Sequence, residues 1–339
     1  MTNFSTKLTF ITGLKKIVLD EIKTYPELRI AEKREDSIYL EGASSLKAIC
    51  NLKSITNVYL TKRGDKLNPY FISKHKSILN EIIETVLKEN IGVFHTFKLS
   101  CAGSNSKEVE EIKGFIADTH KMTYAEDADM EMFIGKQDNL WEIGVRLTSR
   151  PLSLRKYKIK NIKGGLNPTI AYAMNSFCHL DSIESYLNIF SGSGTLLIEA
   201  GLFNPKIKLM GFDVDGKSNA LAIQNIKKAG LLKSTQLKTA DIFRKPDLGK
   251  FDVITSDLPF GMQISKYEDL EKLYKSFVMY CEEFLNSNGI LVVCTTEIKL
   301  FETILKNSKF MATKILKLKI MAASNSCIYP EIFVCKKIK

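Results

Sequence analysis

The sequence predicts an α/β protein in three parts: two small α/β units in succession, then a larger domain on a mostly parallel, seven-stranded, Rossmann-like sheet. Three observations predict it. The first 66 residues read in the order β-α-β-β-α-β, the ferredoxin-like arrangement. The next stretch runs long helix, strand, helix and a pair of strands, and beyond residue 165 strands and helices alternate strictly. Apolar residues make up 45% of the 339, enough to build a separate core in each part.

In the first unit, KLTFITG is a strand, and Leu14, Ile17, Val18 and Ile22 then recur at helical spacing. LRIAEKR and SIYLEG are extended, LKAICNLKSI is a helix carrying Leu46, Ile49, Cys50 and Ile55, and NVYLTKRG closes the unit at residues 1–66. In residues 67–155, ISKHKSILNEIIETVLKEN and KEVEEIKGFIADTH are helices around the strand FHTFKLSCA. The strands DMEMFIG and LWEIGVRLT follow, joined by the polar turn KQDN. A basic linker, 156–165, leads into a final domain, 166–339. Its strands are SYLNIF, KIKLMGFD, TQLKTA, FDVITSD and GILVVCTT, each followed by a helical stretch, with ILKLKIMA and CIYPEIFVCKK as two closing strands. In such a sheet a ligand sits beyond the carboxyl ends of the strands.

A net charge of +11 favours anionic partners, nucleic acid first and an anionic membrane surface second. Seven basic residues and no acidic one fall in RLTSRPLSLRKYKIKNIK, residues 146–163. Two readings stay open, a solvated linker or a phosphate-gripping segment in which Arg150, Arg155 and Lys156 lie beside Tyr157. The seven cysteines form no CxxC pair and the four histidines have no ligand spacing, so no metal is expected, and the thiols should be reduced and mostly buried. No apolar leader and no uncharged run near the roughly 18 residues of a membrane span is present, so a cytoplasmic, unanchored protein is expected.

The first strand of the large domain runs into FSGSGTLLIEA, where Gly192 and Gly194 permit a tight turn before a helix. Asp213 follows Gly194 by 19 residues, at the end of the next strand, where a carboxylate can accept both ribose hydroxyls of a nucleoside. Such a pair serves NAD or S-adenosylmethionine. Leu197 stands where the dinucleotide fingerprint has its third glycine, which disfavours NAD. Asp241 ends the third strand and is either an acceptor for an adenine amino group or a helix N-cap. Asp257 ends the fourth strand in SDLPFG, on the same sheet edge. Its carboxylate and the Leu258 carbonyl can accept the two N–H bonds of an aromatic amine, turning the nitrogen lone pair toward a methyl donor. Pro259 stiffens the turn, Phe260 offers a flat face to an unstacked base, and Gly261 leaves room. The plain alternative is a turn around a buried Phe.

In their order and spacing FSGSGTLLIEA, GFDVD and SDLPFG resemble the class I S-adenosylmethionine-dependent amino-methyltransferases, and the whole chain resembles the THUMP-domain RNA methyltransferases. The resemblance implies a THUMP RNA-binding domain over 67–155 and a methyltransferase domain over 166–339. It implies S-adenosylmethionine as cofactor at Asn188, Ser191, Gly192, Ser193, Gly194, Asp213 and Asp241, and catalysis at Asp257, Leu258, Pro259 and Phe260. The Asp-Leu-Pro-Phe-Gly form is closest to enzymes making N2-methylguanosine at position 6 of the tRNA acceptor stem. Ribosomal RNA, another amine, or an RNA-binding protein with a decayed methyltransferase domain are the alternatives. Asn188 replaces the family's usual Asp, Ser191 its Cys or Met, and Leu258 a proline of which only the carbonyl is used. GGLNPTIAYAM, 164–174, resembles the family segment that closes the cofactor pocket, and by itself reads as a Pro-started helix.

Overall fold

The computed structural model describes residues 4–41, 46–64, 67–68, 72–89, 91–101, 103, 105–137, 139–162, 164–260, 267–321 and 326–338. The chain forms two compact units, Met1–Phe10 with Val18–Ser153, and Ile11–Ile17 with Leu154–Lys339.

The chain begins with β1 (Ser5–Thr9), α1 (Lys15–Ile22, of which Val18 onward belongs to the first unit), β2 (Ile30–Lys33), β3 (Ser37–Leu40), α2 (Leu46–Ile49) and β4 (Asn57–Gly64), in the expected ferredoxin-like order. It continues with α3 (Ile72–Glu89), β5 (Thr96–Cys101), α4 (Lys107–His120), β6 (Thr123–Tyr124), β7 (Met130–Gln137) and β8 (Leu140–Arg146). All eight strands share one mixed sheet, β2-β3-β1-β4-β8-β7-β5-β6. The two segments read separately from sequence are thus joined by the antiparallel β4–β8 ladder, Tyr59 opposite Arg146 through Gly64 opposite Trp141. The turn between β7 and β8 is tight because Asn139 takes φ 65°, a left-handed conformation asparagine tolerates.

The second unit holds α5 (Pro168–Asn175), β9 (Ser185–Ile189), α6 (Thr195–Phe203), β10 (Lys208–Asp213), α7 (Gly216–Lys228), β11 (Thr235–Thr239) and β12 (Phe251–Asp257). After them come α8 (Tyr267–Phe284), β13 (Leu285–Thr295), α9 (Ile298–Lys306), β14 (Phe310–Lys317), β15 (Ile320–Met321), β16 (Cys327–Ile328) and β17 (Glu331–Lys337). Its main sheet is seven-stranded, β11-β10-β9-β12-β13-β17-β14, parallel across the first five strands and antiparallel at β17. Strand order reverses between β9 and β12, so a crevice opens there at the carboxyl ends.

Two expectations need correction. Between β11 and β12 a 3₁₀ turn, Ile242–Arg244, stands where a helical stretch was expected, because Pro246 and Gly249, at φ 84°, interrupt any longer helix. The last two strands are each divided: Leu318 donates its N–H to the Pro330 carbonyl at 2.9 Å, and β15 pairs with β16 as a small separate ladder. All seven cysteines are free and four are buried. Among the described residues no helix is long and apolar enough to cross a membrane, and no cluster of His, Cys, Asp or Glu could hold a metal.

Candidate active site

At the end of β9 the chain must turn sharply into α6. Phe190 does so at φ 56°, costly for a residue with a side chain, its ring tilted against Phe277 at 6.1 Å. Gly192 and Gly194 follow at φ 51° and 77°. A Cβ on Gly192 would lie 2.9 Å from Ile162 Cδ1, the movable end of a side chain, so it is the left-handed φ more than the space that calls for glycine there. Gly194 is the N-cap of α6 without a side-chain cap, which leaves the first-turn N–H groups of the helix to other partners.

The strand ends β10, β11 and β12 then bring the acidic residues to the same edge. Asp213 accepts the Gly192 N–H at 2.9 Å on one oxygen and the Asp215 N–H at 3.0 Å on the other, tying the glycine turn to β10. Asp241 accepts the Phe243 N–H at 3.0 Å and so does cap the 3₁₀ turn. Asn188, buried on β9, donates its amide hydrogens to the carbonyls of Ile189 at 3.3 Å and Thr255 at 3.1 Å. Its oxygen remains as an acceptor.

Asp257 ends β12. Burial pushes its carboxyl up to about 7, opposed by the charge of Lys158 and a bond from the Cys294 thiol. Leu258 packs its side chain into the core and donates its N–H to the Cys294 carbonyl at 2.9 Å. The Pro259 carbonyl accepts the Tyr274 hydroxyl at 3.0 Å, and that hydroxyl lies 2.8 Å from Thr295 Oγ1, so the turn is held from α8 and β13. Gly261 lies outside the described residues.

Every expected cofactor and catalytic position except Gly194 lines one cavity of about 680 Å³, which is the size of a small-molecule site. The Ser191 hydroxyl in its wall is buried and has no hydrogen-bond partner among the described residues. Such an atom is costly unless a ligand meets it. Val214, 65% exposed, and Phe243, 48% exposed, also border the cavity, apolar side chains beside Asp213 and Asp241. Sequence reasoning missed them, although an apolar residue following a strand-terminal Asp in FDVD and ADIF was the signal.

The basic run behaves differently from either sequence reading. Arg146 is 1% exposed and pairs with Glu131 at 2.6 Å, inside the first unit. Arg155, expected to contact phosphate, is 8% exposed and its Nε donates to Glu199 on α6 at 3.0 Å. The Tyr157 hydroxyl donates to the same oxygen at 2.6 Å. Arg155 is therefore held in an internal ion pair with Glu199, whereas Arg150 and Lys156 are exposed. Farther along, Asn225 of α7 accepts the Lys160 N–H and donates to the Lys160 and Ser193 carbonyls, all at 2.9 to 3.1 Å. Residues 155–162 are thus a strap fastened to α6, α7 and the glycine turn, and Ile162, Gly165 and Leu166 form part of the cavity wall.

A family model described as RMKL-like, methyltransferase domain, matches residues 155–324, half of the chain. The U6 snRNA (guanine-N(2))-methyltransferase THUMPD2 of Bos taurus is 28% identical over 229 residues, covering 65% of this chain and 44% of that protein. This chain spans less than half the length of the THUMPD2 proteins of Bos taurus, Mus musculus and Homo sapiens. The tRNA (guanine(6)-N2)-methyltransferase of Archaeoglobus fulgidus is 22% identical over 335 residues, covering 86% of this chain and 83% of that one. Among solved structures, TrmN from Thermus thermophilus shares the fold at TM-score 0.77, with 19% identity over 99% of this chain and all of the other.

Proposed function

Since the chain belongs to the RMKL-like methyltransferase-domain family, we propose that it moves a methyl group from S-adenosylmethionine to the exocyclic N2 amine of a guanosine in tRNA, at position 6 of the acceptor stem. The observation that carries this reading is the meeting of the glycine turn and the Asp-Leu-Pro-Phe turn in one cavity.

The residues present fit the cofactor. The unpartnered Ser191 hydroxyl and the side-chain-free Gly192 suit a ligand lying close along the turn. Asp213 keeps lone pairs beyond its two backbone bonds and would take the ribose hydroxyls. Val214 and Phe243 would flank the adenine and Asp241 accept its amino group. The Asn188 oxygen would accept the methionine ammonium. S-adenosylmethionine supplies an electrophilic methyl group on a sulfonium.

Asp257 and the Leu258 carbonyl would accept the two guanine N–H bonds, aiming the nitrogen lone pair at that methyl, while Phe260 stacks on the base. With the amine so held, Asp257 would take the proton that the nitrogen sheds as it accepts the methyl group. We read residues 1–66 as a ferredoxin-like domain, 67–155 as a THUMP domain that binds the RNA, and 166–339 as the methyltransferase domain. The Archaeoglobus relative, which matches most of both chains, favours tRNA over U6 snRNA, and we place the protein in the cytoplasm.

Calorimetry tests the cofactor reading. S-adenosylmethionine should bind with micromolar-order affinity, and Asp213→Ala should weaken it by about 1.5 to 3 kcal/mol, the cost of removing a charged hydrogen-bond partner. Tight NAD binding with none of S-adenosylmethionine contradicts it. For RNA, a double Arg150→Ala, Lys156→Ala protein should lose about one from the slope of log affinity against log salt for each phosphate contact removed. Arg155→Ala should leave that slope alone and lower the melting temperature instead. An unchanged slope in the double variant removes both side chains from the RNA interface.

A further inference from the structure

Tyr274 is a polar residue on an apolar stripe. Leu270, Tyr274, Phe277, Cys281 and Phe284 recur every three or four residues along α8 and pack that face of the helix into the core of the second unit. Tyr274 is fully buried, its ring edge-to-face on Phe301 with centroids 6.2 Å apart, so its hydroxyl needs partners inside the protein. It has one on each side. The hydroxyl donates to the Pro259 carbonyl at 3.0 Å and, with its single proton committed there, accepts from Thr295 Oγ1 at 2.8 Å. Thr295, itself buried, accepts the Glu297 N–H at 3.0 Å. A one-way relay of three hydrogen bonds therefore runs from the residue before α9, through β13 and α8, to the Pro259 carbonyl.

The chain between Asp257 and Phe260 shows what that last bond controls. The Leu258 N–H continues the ladder to the Cys294 carbonyl, which fixes the peptide after Asp257. Standing before a proline, Leu258 is biased to extended backbone, and the Pro259 ring holds its own φ at about −65°. The Pro259 ψ is the soft torsion that remains, and turning it swings the Pro259 carbonyl oxygen and Phe260 together. The Tyr274 hydroxyl holds that oxygen. We propose that Tyr274 is a positioning residue for methyl transfer: by holding the Pro259 carbonyl it fixes Phe260, in the cavity wall beside Asp257, where the substrate base is to lie. The proposal rests on the methyltransferase reading, in which Phe260 stacks on the guanine whose amine Asp257 accepts. Tyr280 supplies the comparison. Farther along the same helix and equally buried, it donates to the carbonyl of Pro246, which does not line the cavity. There the same kind of bond serves stability alone.

The test sets Tyr274→Phe against Tyr280→Phe. Each removes one buried bond from a tyrosine to a carbonyl and keeps the ring, so both should lower the melting temperature. Only Tyr274→Phe should also lower the single-turnover methylation rate, by about five- to tenfold at saturating S-adenosylmethionine and RNA, with cofactor affinity within about twofold of wild type. Thr295→Val removes the donor behind Tyr274 and should slow the reaction by less. In a Phe260→Ala background the Tyr274→Phe change should lose most of its effect, because no ring is left to place. Fluorine NMR of a fluorophenylalanine at position 260, in protein without cofactor or RNA, reads the placement directly. Wild type and Tyr280→Phe should give one resonance at the same shift, and Tyr274→Phe a shifted or split one. A Tyr274→Phe protein with the wild-type rate, a loss just as large without the Phe260 ring, or an unchanged fluorine spectrum overturns the proposal. Wild-type protein that methylates no RNA overturns the functional reading itself, a failure that the fluorine spectrum keeps separate.

Discussion

Asp257→Ala is expected to lower the single-turnover rate of methyl transfer by about a hundredfold or more while leaving cofactor and RNA binding within a few fold. The expectation comes from the place of the carboxylate, at the end of β12, bordering the cavity but outside the glycine turn that would hold the cofactor. An interaction that strengthens as charge develops on the amine shows up in turnover and not in affinity. The surrounding turn should survive the change, because its hydrogen bonds run through other atoms: Leu258 N–H to the Cys294 carbonyl and Tyr274 hydroxyl to the Pro259 carbonyl. Asp257→Asn should be milder, since its amide oxygen still accepts one N–H. Phe260→Ala should slow the reaction and also cost RNA affinity, by about 1 to 3 kcal/mol if a flipped base stacks there. An Asp257→Ala enzyme with the wild-type rate would refute the assignment.

The second large effect is on stability. Glu199→Ala should destabilise the protein by about 3 kcal/mol, because it strands the Arg155 guanidinium and the Tyr157 hydroxyl without their acceptor. Side-chain exposures of 4% for Glu199 and 8% for Arg155 mean that water cannot easily replace the lost partner. Burial, and then the charge of Glu199, hold the Tyr157 hydroxyl far above its ordinary range, so it remains a donor at any working pH. At about 2 to 4 °C per kcal/mol for a unit of this size, thermal melting should fall by about 6 to 12 °C. Glu199→Gln keeps an oxygen for one donor and should lose roughly half as much. The strap walls the cavity, so cofactor affinity should fall together with stability. A Glu199→Ala protein that melts within about one degree of wild type would show that the buried pair contributes nothing.

What local pattern can express, the sequence expressed well. Buried parallel strands read as short apolar runs such as FDVITSD, and the acidic residues that end them fall on one edge because every strand of that set points the same way. NVYLTKRG, ISKHKSILNEIIETVLKE and KEVEEIKGFIADTH coincide with β4, α3 and α4 for the same reason, since each carries a complete periodic signal. Long-range pairing is different. Nothing in β4 or β8 names the other as its neighbour, so one eight-stranded sheet was read as two units. The same limit explains Arg155. Its charge is visible in the run at 146–163, but Glu199, 44 residues on, lay inside a motif quoted for its glycines. Arg150 and Arg155 look alike in sequence, and only the fold separates the exposed one from the paired one.

The central claim is transfer of a methyl group to guanine N2 in RNA, and one measurement meets it most directly. Purified protein is incubated with isotopically labelled S-adenosylmethionine and unmodified tRNA, in parallel with U6 snRNA and ribosomal RNA, and the RNA is digested to nucleosides for mass spectrometry. Label in N2-methylguanosine from the tRNA, mapped to position 6 and lost with Asp257→Ala, is the predicted result. Label in another nucleoside such as N6-methyladenosine, or no label in any RNA from a protein that binds S-adenosylmethionine, would contradict it.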